Sequence, residues 1–271
     1  MSEQQNAVTL ENKHFQPSIR TIEIEPDRLL HSYLIDLITT FAQRSNKENF
    51  TIVDFGCKEG DIVDILCDKF NLTKDDSLPT PNIHISGYDP FLNSNAYAIQ
   101  RALKKAQKNP ALTAEFTSEF KKIPERADLL FAHFSLHHVP DLKAAMQEEI
   151  GGHISPSIII VAEYDFQQIH QGSPQKNFAE FKKIFESTRA GIEERDLFVK
   201  EKDSEEAGWQ KCYAIHTRLN EQDYIKEIEE AGYHIIKRIV PTSPWKMDRY
   251  KFMLVAVRDK KDAYDTKLCL N

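Results

Sequence analysis

Cysteine is scarce in this chain of 271 residues: four, at positions 57, 67, 212 and 269, none at C-x-x-C spacing. That excludes a small disulfide-stapled scaffold and a cysteine-rich zinc module, and it suits free thiols in a reducing compartment. No apolar run approaches the roughly 18 residues of a membrane helix. The polar stretch Met1 to Asn12 lacks the basic-then-apolar order of a secretion signal. These absences make the cytoplasm the expected location, away from the membrane. Nor is there an excess of positive charge. A formal net charge of -7 is the wrong sign for a general nucleic-acid or anionic-lipid surface, and leaves room only for a local basic groove. Internal repeats and low-complexity tracts are absent as well.

What is present reads as an ordinary globular protein, 41% apolar and 28% charged, long enough for one large domain. Residues 1–18 are expected to form a flexible arm and 259–271 a charged tail, with the domain between, over 19–258. Leu29, Leu30, Tyr33, Leu34, Leu37, Ile38 and Phe41 recur at helical spacing. Phe50 to Phe55 is a buried strand by its apolar, β-branched content, and Asp61 to Phe70 returns to a helix. Asn71 to Asn82, with two prolines and two adjacent aspartates, is a loop. Strands follow over Ile83–Tyr88, Leu112–Phe116, Ala127–Ala132 and Ser157–Glu163. Helices are expected over Ala96–Lys108 and Asp141–Ile150, the second closed by Gly151-Gly152. The Arg101, Lys104, Lys105, Lys108 run reads as a solvated helix face.

Such alternation implies parallel crossovers and a doubly wound α/β sheet. The rhythm breaks over 165–218, where no strand stands out. There Phe178, Phe181, Ile184, Phe185 and Ile192 make one apolar helical face, a helical cap inserted after the fifth strand. In an open α/β sheet such an insertion overhangs the site, and Trp209, Tyr213 and Trp245 are candidates to line it. A helix over Asn220–Ala231, ended by Gly232, leads to strands Tyr233–Val240 and Tyr250–Val257. Their link is too short for a crossover helix, so these two are antiparallel neighbours.

Chemistry is concentrated where the first strand ends. Val53-Asp54-Phe55-Gly56-Cys57-Lys58-Glu59-Gly60 is a strand, a glycine loop and a helix start, an arrangement that suits nucleotides. Gly-Lys-Ser/Thr is missing after the last glycine, so this is not a P-loop. A dinucleotide fingerprint would need glycine where Lys58 and Asp61 stand. Asp61 also sets a carboxylate where a pyrophosphate would sit. A cationic nucleoside ligand meets neither objection.

The segment resembles the first motif of the class I S-adenosylmethionine-dependent methyltransferases, an acidic residue followed by G-x-G-x-G, with Lys58 in place of the middle glycine. The resemblance spans roughly Asp27 to Arg258. It implies a Rossmann-like seven-stranded sheet of order 3-2-1-4-5-7-6, the last strand antiparallel. It implies S-adenosylmethionine as cofactor, with Asp54, Gly56, Cys57 and Gly60 at its methionine end. Ile-Ser-Gly-Tyr-Asp-Pro-Phe is similar to the second motif, so Asp89 would grip the ribose hydroxyls, with Pro90 and Phe91 flanking the adenine. Ser118 or Glu119 would meet the adenine amino group. Ala-Asp-Leu-Leu-Phe-Ala-His-Phe-Ser-Leu-His-His-Val-Pro-Asp is similar to the fourth strand and its exit, with His133 beside the methyl group.

His133 and His137 are the candidates for catalysis as general bases, since imidazole titrates near neutrality. His133, His137 and His138, with Glu163 joining in space, could instead ligate a metal, or one of the histidines could be a cap or core residue; no bound metal is expected. A large cap and negative charge favour a small-molecule methyl acceptor. An RNA or protein acceptor, or a catalytically inactive cofactor-binding partner subunit, are the alternatives.

Overall fold

The computed structural model describes residues 20–24, 29–45, 47–72, 81–92, 96–169, 172–199, 204–241 and 250–258. The expected arm, the charged tail and Trp245 lie outside them. Eight strands form one sheet: β1 (Arg20–Ile24), β2 (Asn49–Phe55), β3 (Asn82–Tyr88), β4 (Leu112–Thr117), β5 (Leu129–His133), β6 (Ile158–Tyr164), β7 (His234–Pro241) and β8 (Lys251–Val257). Their order is β1-β7-β8-β6-β5-β2-β3-β4. With β2 counted as the first, this is the expected 3-2-1-4-5-7-6, and β8 runs antiparallel to both neighbours. The expected seven strands therefore gain an eighth, β1, parallel to β7 at the edge. Its sequence, RTIEI, alternates charge with apolar side chains as a sheet edge can, and lacks the continuous apolar run of the central strands.

β2, β5 and β6 are buried on both sides, and the side chains that alternate along them feed two cores. One core gathers Ile52, Leu129 and Phe131 with Ile38, Phe41 and Leu66. These come from helices α1 (Leu29–Arg44) and α2 (Asp61–Leu72); α3 (Ala96–Ala106) adds Ala102 and Ala106. On the other face, Val53, Leu130 and Val161 pack with Met146, Ile150, Tyr224 and Ile228.

Met146 and Ile150 belong to the helix expected to stop at Gly151-Gly152, and there the structure differs. A short α4 (Leu142–Ala144), capped by Asp141, widens into a π-helix, Ala145–Ile154, that runs through both glycines. It ends at Ser155, in left-handed conformation with φ of 47°, whose N–H donates to the Ile150 carbonyl. Ile154 is fully buried in the second core, and that burial outweighs the weak helix propensity of two glycines.

The insertion after β6 is helical, as expected: α5 (Pro174–Phe185), α6 (Arg189–Phe198) and α7 (Glu205–His216). The single apolar face does not hold. Thr188 caps α6 by accepting the Gly191 N–H and splits the stripe, leaving Ile192 40% exposed. Phe181, Ile184 and Phe185 instead form a third core with Phe166, Trp209, Cys212 and Tyr250. Trp209 is thus a packing residue and not a pocket wall. α8 (Glu221–Glu230) returns the chain to β7.

Candidate functional site at the carboxyl ends of the strands

Asp54 and Phe55 end β2, and the loop to α2 turns on three residues of positive φ: Gly56 (80°), Lys58 (43°) and Gly60 (76°). A Cβ on Gly56 would lie 2.2 Å from Cβ of Ser135, and one on Gly60 2.9 Å from the Phe116 ring. Only glycine fits at Gly56, because the turn after β5 is pressed against it. Lys58 stands where the resemblance has its middle glycine, and its backbone keeps the left-handed turn that glycine would favour.

The loop is tied to the next strand by backbone and carboxylate. Gly56 and Cys57 donate N–H bonds to the Tyr88 carbonyl at 2.7 and 3.0 Å. Asp89 Oδ2 accepts from the Lys58 N–H at 2.9 Å, and Oδ1 from the Phe91 N–H at 2.7 Å. Each carboxylate oxygen accepts more than one hydrogen bond, so both retain capacity for a diol. Pro90 is exposed and Phe91 is 70% exposed, unusual for so large an apolar ring and suited to stacking on a ligand base. The Asp89 N–H bonds the Thr117 carbonyl, which brings the exposed Ser118 and Glu119 beside the same strand ends. Glu119 meanwhile pairs with Lys122 at 2.6 Å.

Buried Asp54 has its pKa pushed up to about 8, first by desolvation and then by the charges of Asp61 and Asp89. Three carboxylates around one loop make a setting that prefers a cation to a phosphate. Burial, with Asp54 and Asp89, drives the Cys57 thiol far above its ordinary value. Cys57 is therefore a protonated packing residue under the loop.

The histidines divide. His133 ends β5, half-buried, its ring stacked at 5.5 Å on Phe131 and 4.3 Å from Phe134. His137 and His138 sit in the 3-10 turn Leu136–His138 that follows. Glu163 of β6, wholly buried, organises that turn: Oε1 accepts the backbone N–H groups of Ser135, Leu136 and His137, and Oε2 bonds His137 Nδ1 at 2.7 Å. The cap supplies the rest. Glu194 of α6 bonds His216 Nε2 of α7 at 2.6 Å, with His138 Nε2 at 3.7 Å and His137 Nε2 at 4.0 Å from the same oxygen.

In this network burial disfavours charge on every imidazole, and the carboxylates decide which one recovers it. Glu163 overcomes desolvation at His137 and raises its pKa. Burial, reinforced by His137, lowers His216, and partial desolvation, with His137 and a small push from Lys58 of the glycine loop, lowers the more open His138. Burial would raise Glu194, but His216, His137 and His138 together hold it down to about 2. The network's proton thus belongs on His137, between two carboxylates. Glu194 and His216 have no spacing signature that ties them to His137; they meet it only because the cap folds back over β5 and β6.

Asp54, Gly56, Cys57, Gly60, Asp89, Pro90 and Phe91 are brought together, with Ser118 and Glu119 at the adjoining strand end. His137 stands across the Ser135 turn from them, while His133 packs on Phe131 and Phe134.

No family model matches the chain, and no curated protein matches it. Solved structures of similar shape include a magnesium protoporphyrin IX methyltransferase from Synechocystis with SAH bound. It is 12% identical over 84% of this chain and 84% of that one, with a TM-score of 0.48. Another is a SAM-dependent methyltransferase from Aquifex aeolicus, 14% identical over 87% of this chain and 94% of that one, with a TM-score of 0.47. At such scores neither likeness fixes the activity of this chain, and its own residues must.

Proposed function

We propose that this chain binds S-adenosylmethionine at the carboxyl ends of β2, β3 and β4 and transfers its methyl group to a small-molecule acceptor held under the α5–α7 cap. The observation that carries the reading is the Asp89 carboxylate, fixed by the Lys58 and Phe91 N–H groups between a glycine loop and an exposed aromatic ring. That is a diol acceptor and a stacking surface 31 residues downstream of the loop it braces.

The residues fit the cofactor on three counts. Gly56 leaves no room for a side chain because the Ser135 turn packs against it, which fixes the loop at the carboxyl end of β2. Asp61, at the start of α2, opposes a pyrophosphate there. A positively charged ligand favours the ionised form of Asp54 that its surroundings disfavour. S-adenosylmethionine supplies a methyl group already activated on sulfur, lost in an in-line displacement that leaves S-adenosylhomocysteine. What remains for this chain is to bind, to orient and to exclude water. The carboxylate-lined histidine cluster between the cap and β5–β6 favours a small acceptor over an RNA. No helix among the described residues is long and apolar enough to cross a membrane.

Calorimetric titration with S-adenosylmethionine and S-adenosylhomocysteine tests the reading. One site per chain is expected, with Asp89→Ala weakening both ligands by two hydrogen bonds' worth, on the order of 10- to 100-fold. A folded parent that binds neither ligand ends the proposal. A variant that binds both as tightly as the parent removes Asp89 from the site.

A further inference from the structure

We propose that His137, Glu194 and His216 bind one divalent first-row transition cation such as Zn2+, with Glu163 as the orienting partner of His137. One donor atom from each of the three lies within 4.8 Å of the others. Donors at the corners of a tetrahedron around zinc stand about 3.4 Å apart, given bonds of roughly 2.1 Å. The Glu194 oxygen lies 2.6 Å from His216 Nε2 and 4.0 Å from His137 Nε2, distances that bracket this spacing, so small side-chain movements suffice.

Three further features single the cluster out from an ordinary buried ion pair. First, His137 is held through Nδ1 by a carboxylate that is itself fully buried and anchored by backbone N–H groups. A carboxylate behind a histidine fixes the tautomer that turns the Nε2 lone pair outward, the arrangement usual behind metal-bound imidazoles. Second, His137 Nε2 is buried and accepts no hydrogen bond among the described residues, although its side chain is only 5% exposed. A buried polar atom without a partner is costly, and the Glu194–His216 pair leaves that atom unexplained. Third, two carboxylates, Glu163 and Glu194, face three imidazoles; a dication that displaces the proton from His137 leaves the imidazoles neutral and balances the charge. Two nitrogens and one carboxylate oxygen suit zinc, iron, cobalt or manganese better than magnesium or calcium.

Three protein donors leave a position open. His138, 37% exposed at its side chain and 3.7 Å from the Glu194 oxygen, marks the outward side. An oxygen-bearing acceptor could take that position. This use of the site rests on the methyl-transfer reading; the binding of the ion does not. Coordination through Nε2 also removes His137 as a general base, since one lone pair cannot serve both.

The metal-stripped 271-residue chain, without cofactor, is titrated with Zn2+ by calorimetry and with Co2+ by visible absorption. One equivalent of each is expected, with the ligand-field bands of a nitrogen- and oxygen-ligated tetrahedral Co2+. Glu194→Gln should weaken Zn2+ more than about 100-fold, and Glu163→Gln about 10- to 100-fold, with circular dichroism unchanged. His216→Ala provides a second ligand deletion should Glu194→Gln unfold. Failure of the folded parent to bind either ion overturns the site. So does Zn2+ binding that survives both ligand substitutions undiminished, or a thiolate-to-Co2+ charge-transfer band showing that cysteine holds the ion. Failure here leaves cofactor binding, measured separately, untouched.

Discussion

Residue by residue, the glycine loop is where shape is least negotiable. Gly56→Ala would drive a Cβ into Ser135 at a positive φ, and we expect a loss of about 3 kcal/mol or more, read as a fall in denaturant midpoint. Lys58→Gly should do the reverse. It relieves a non-glycine left-handed residue, worth about 1 kcal/mol, while the backbone N–H that Asp89 receives remains. Asp54 gives a pH signature. Its folded pKa, about 8, lies above the unfolded value near 4, so the folded chain holds a proton that the unfolded chain has released. Stability conferred at low pH is therefore lost as pH rises from about 4 to 8, and levels off above. Asp54→Asn abolishes that slope, so the melting temperature of the ligand-free variant should exceed the parent's by a margin that widens across this window. Equal margins at pH 5 and pH 8 would refute the assignment. Asp54, Gly56, Gly60 and Asp89 were legible in the sequence because they lie within a few residues of strand ends, and strand ends are marked by apolar runs. Glu194 and His216 were not, because their meeting depends on how two cap helices cross the sheet.

Among the elements, the helix after β5 shows how burial overrides a local stop signal. Gly151-Gly152 reads as a terminator, yet the chain continues to Ser155 because Ile154 has a place in the core. Ser155 carries the left-handed turn, and its hydroxyl also takes a bond from Arg258. That exposed contact is worth little, so Ser155→Gly should be net stabilising, raising the melting temperature by about 2–4 °C. A decrease would mean that the Arg258 contact outweighs the backbone strain. The cap teaches the complementary lesson. Its apolar stripe was visible, but the break between α5 and α6 was not, since Thr188 reads as an unremarkable helix residue until its hydroxyl is seen to accept the Gly191 N–H.

At the level of the whole molecule the sheet was legible almost entirely. Seven strands, the central ones with long apolar runs, and a short last connection leave little choice of order once the resemblance is granted. β1 escaped because an edge strand can be polar, and the alternation in RTIEI is too short to stand out without the continuous apolar run of the central strands. Its role is to cover the edge of β7, where exposed backbone would otherwise invite pairing with another chain. Ile22→Pro should release it, lowering the melting temperature by a few degrees and producing concentration-dependent self-association by light scattering; a variant that stays as monodisperse as the parent would show that β7 needs no cover. Glu163 has a wider consequence than the chemistry beside it. One of its oxygens gathers the amides of Ser135, Leu136 and His137, in the turn beyond the end of β5, into the same bonding set as the central strands. In deuterated water those turn amides should exchange on the slow clock of global opening, and Glu163→Ala should hand them to the fast clock of local fraying while β5 and β6 keep their time.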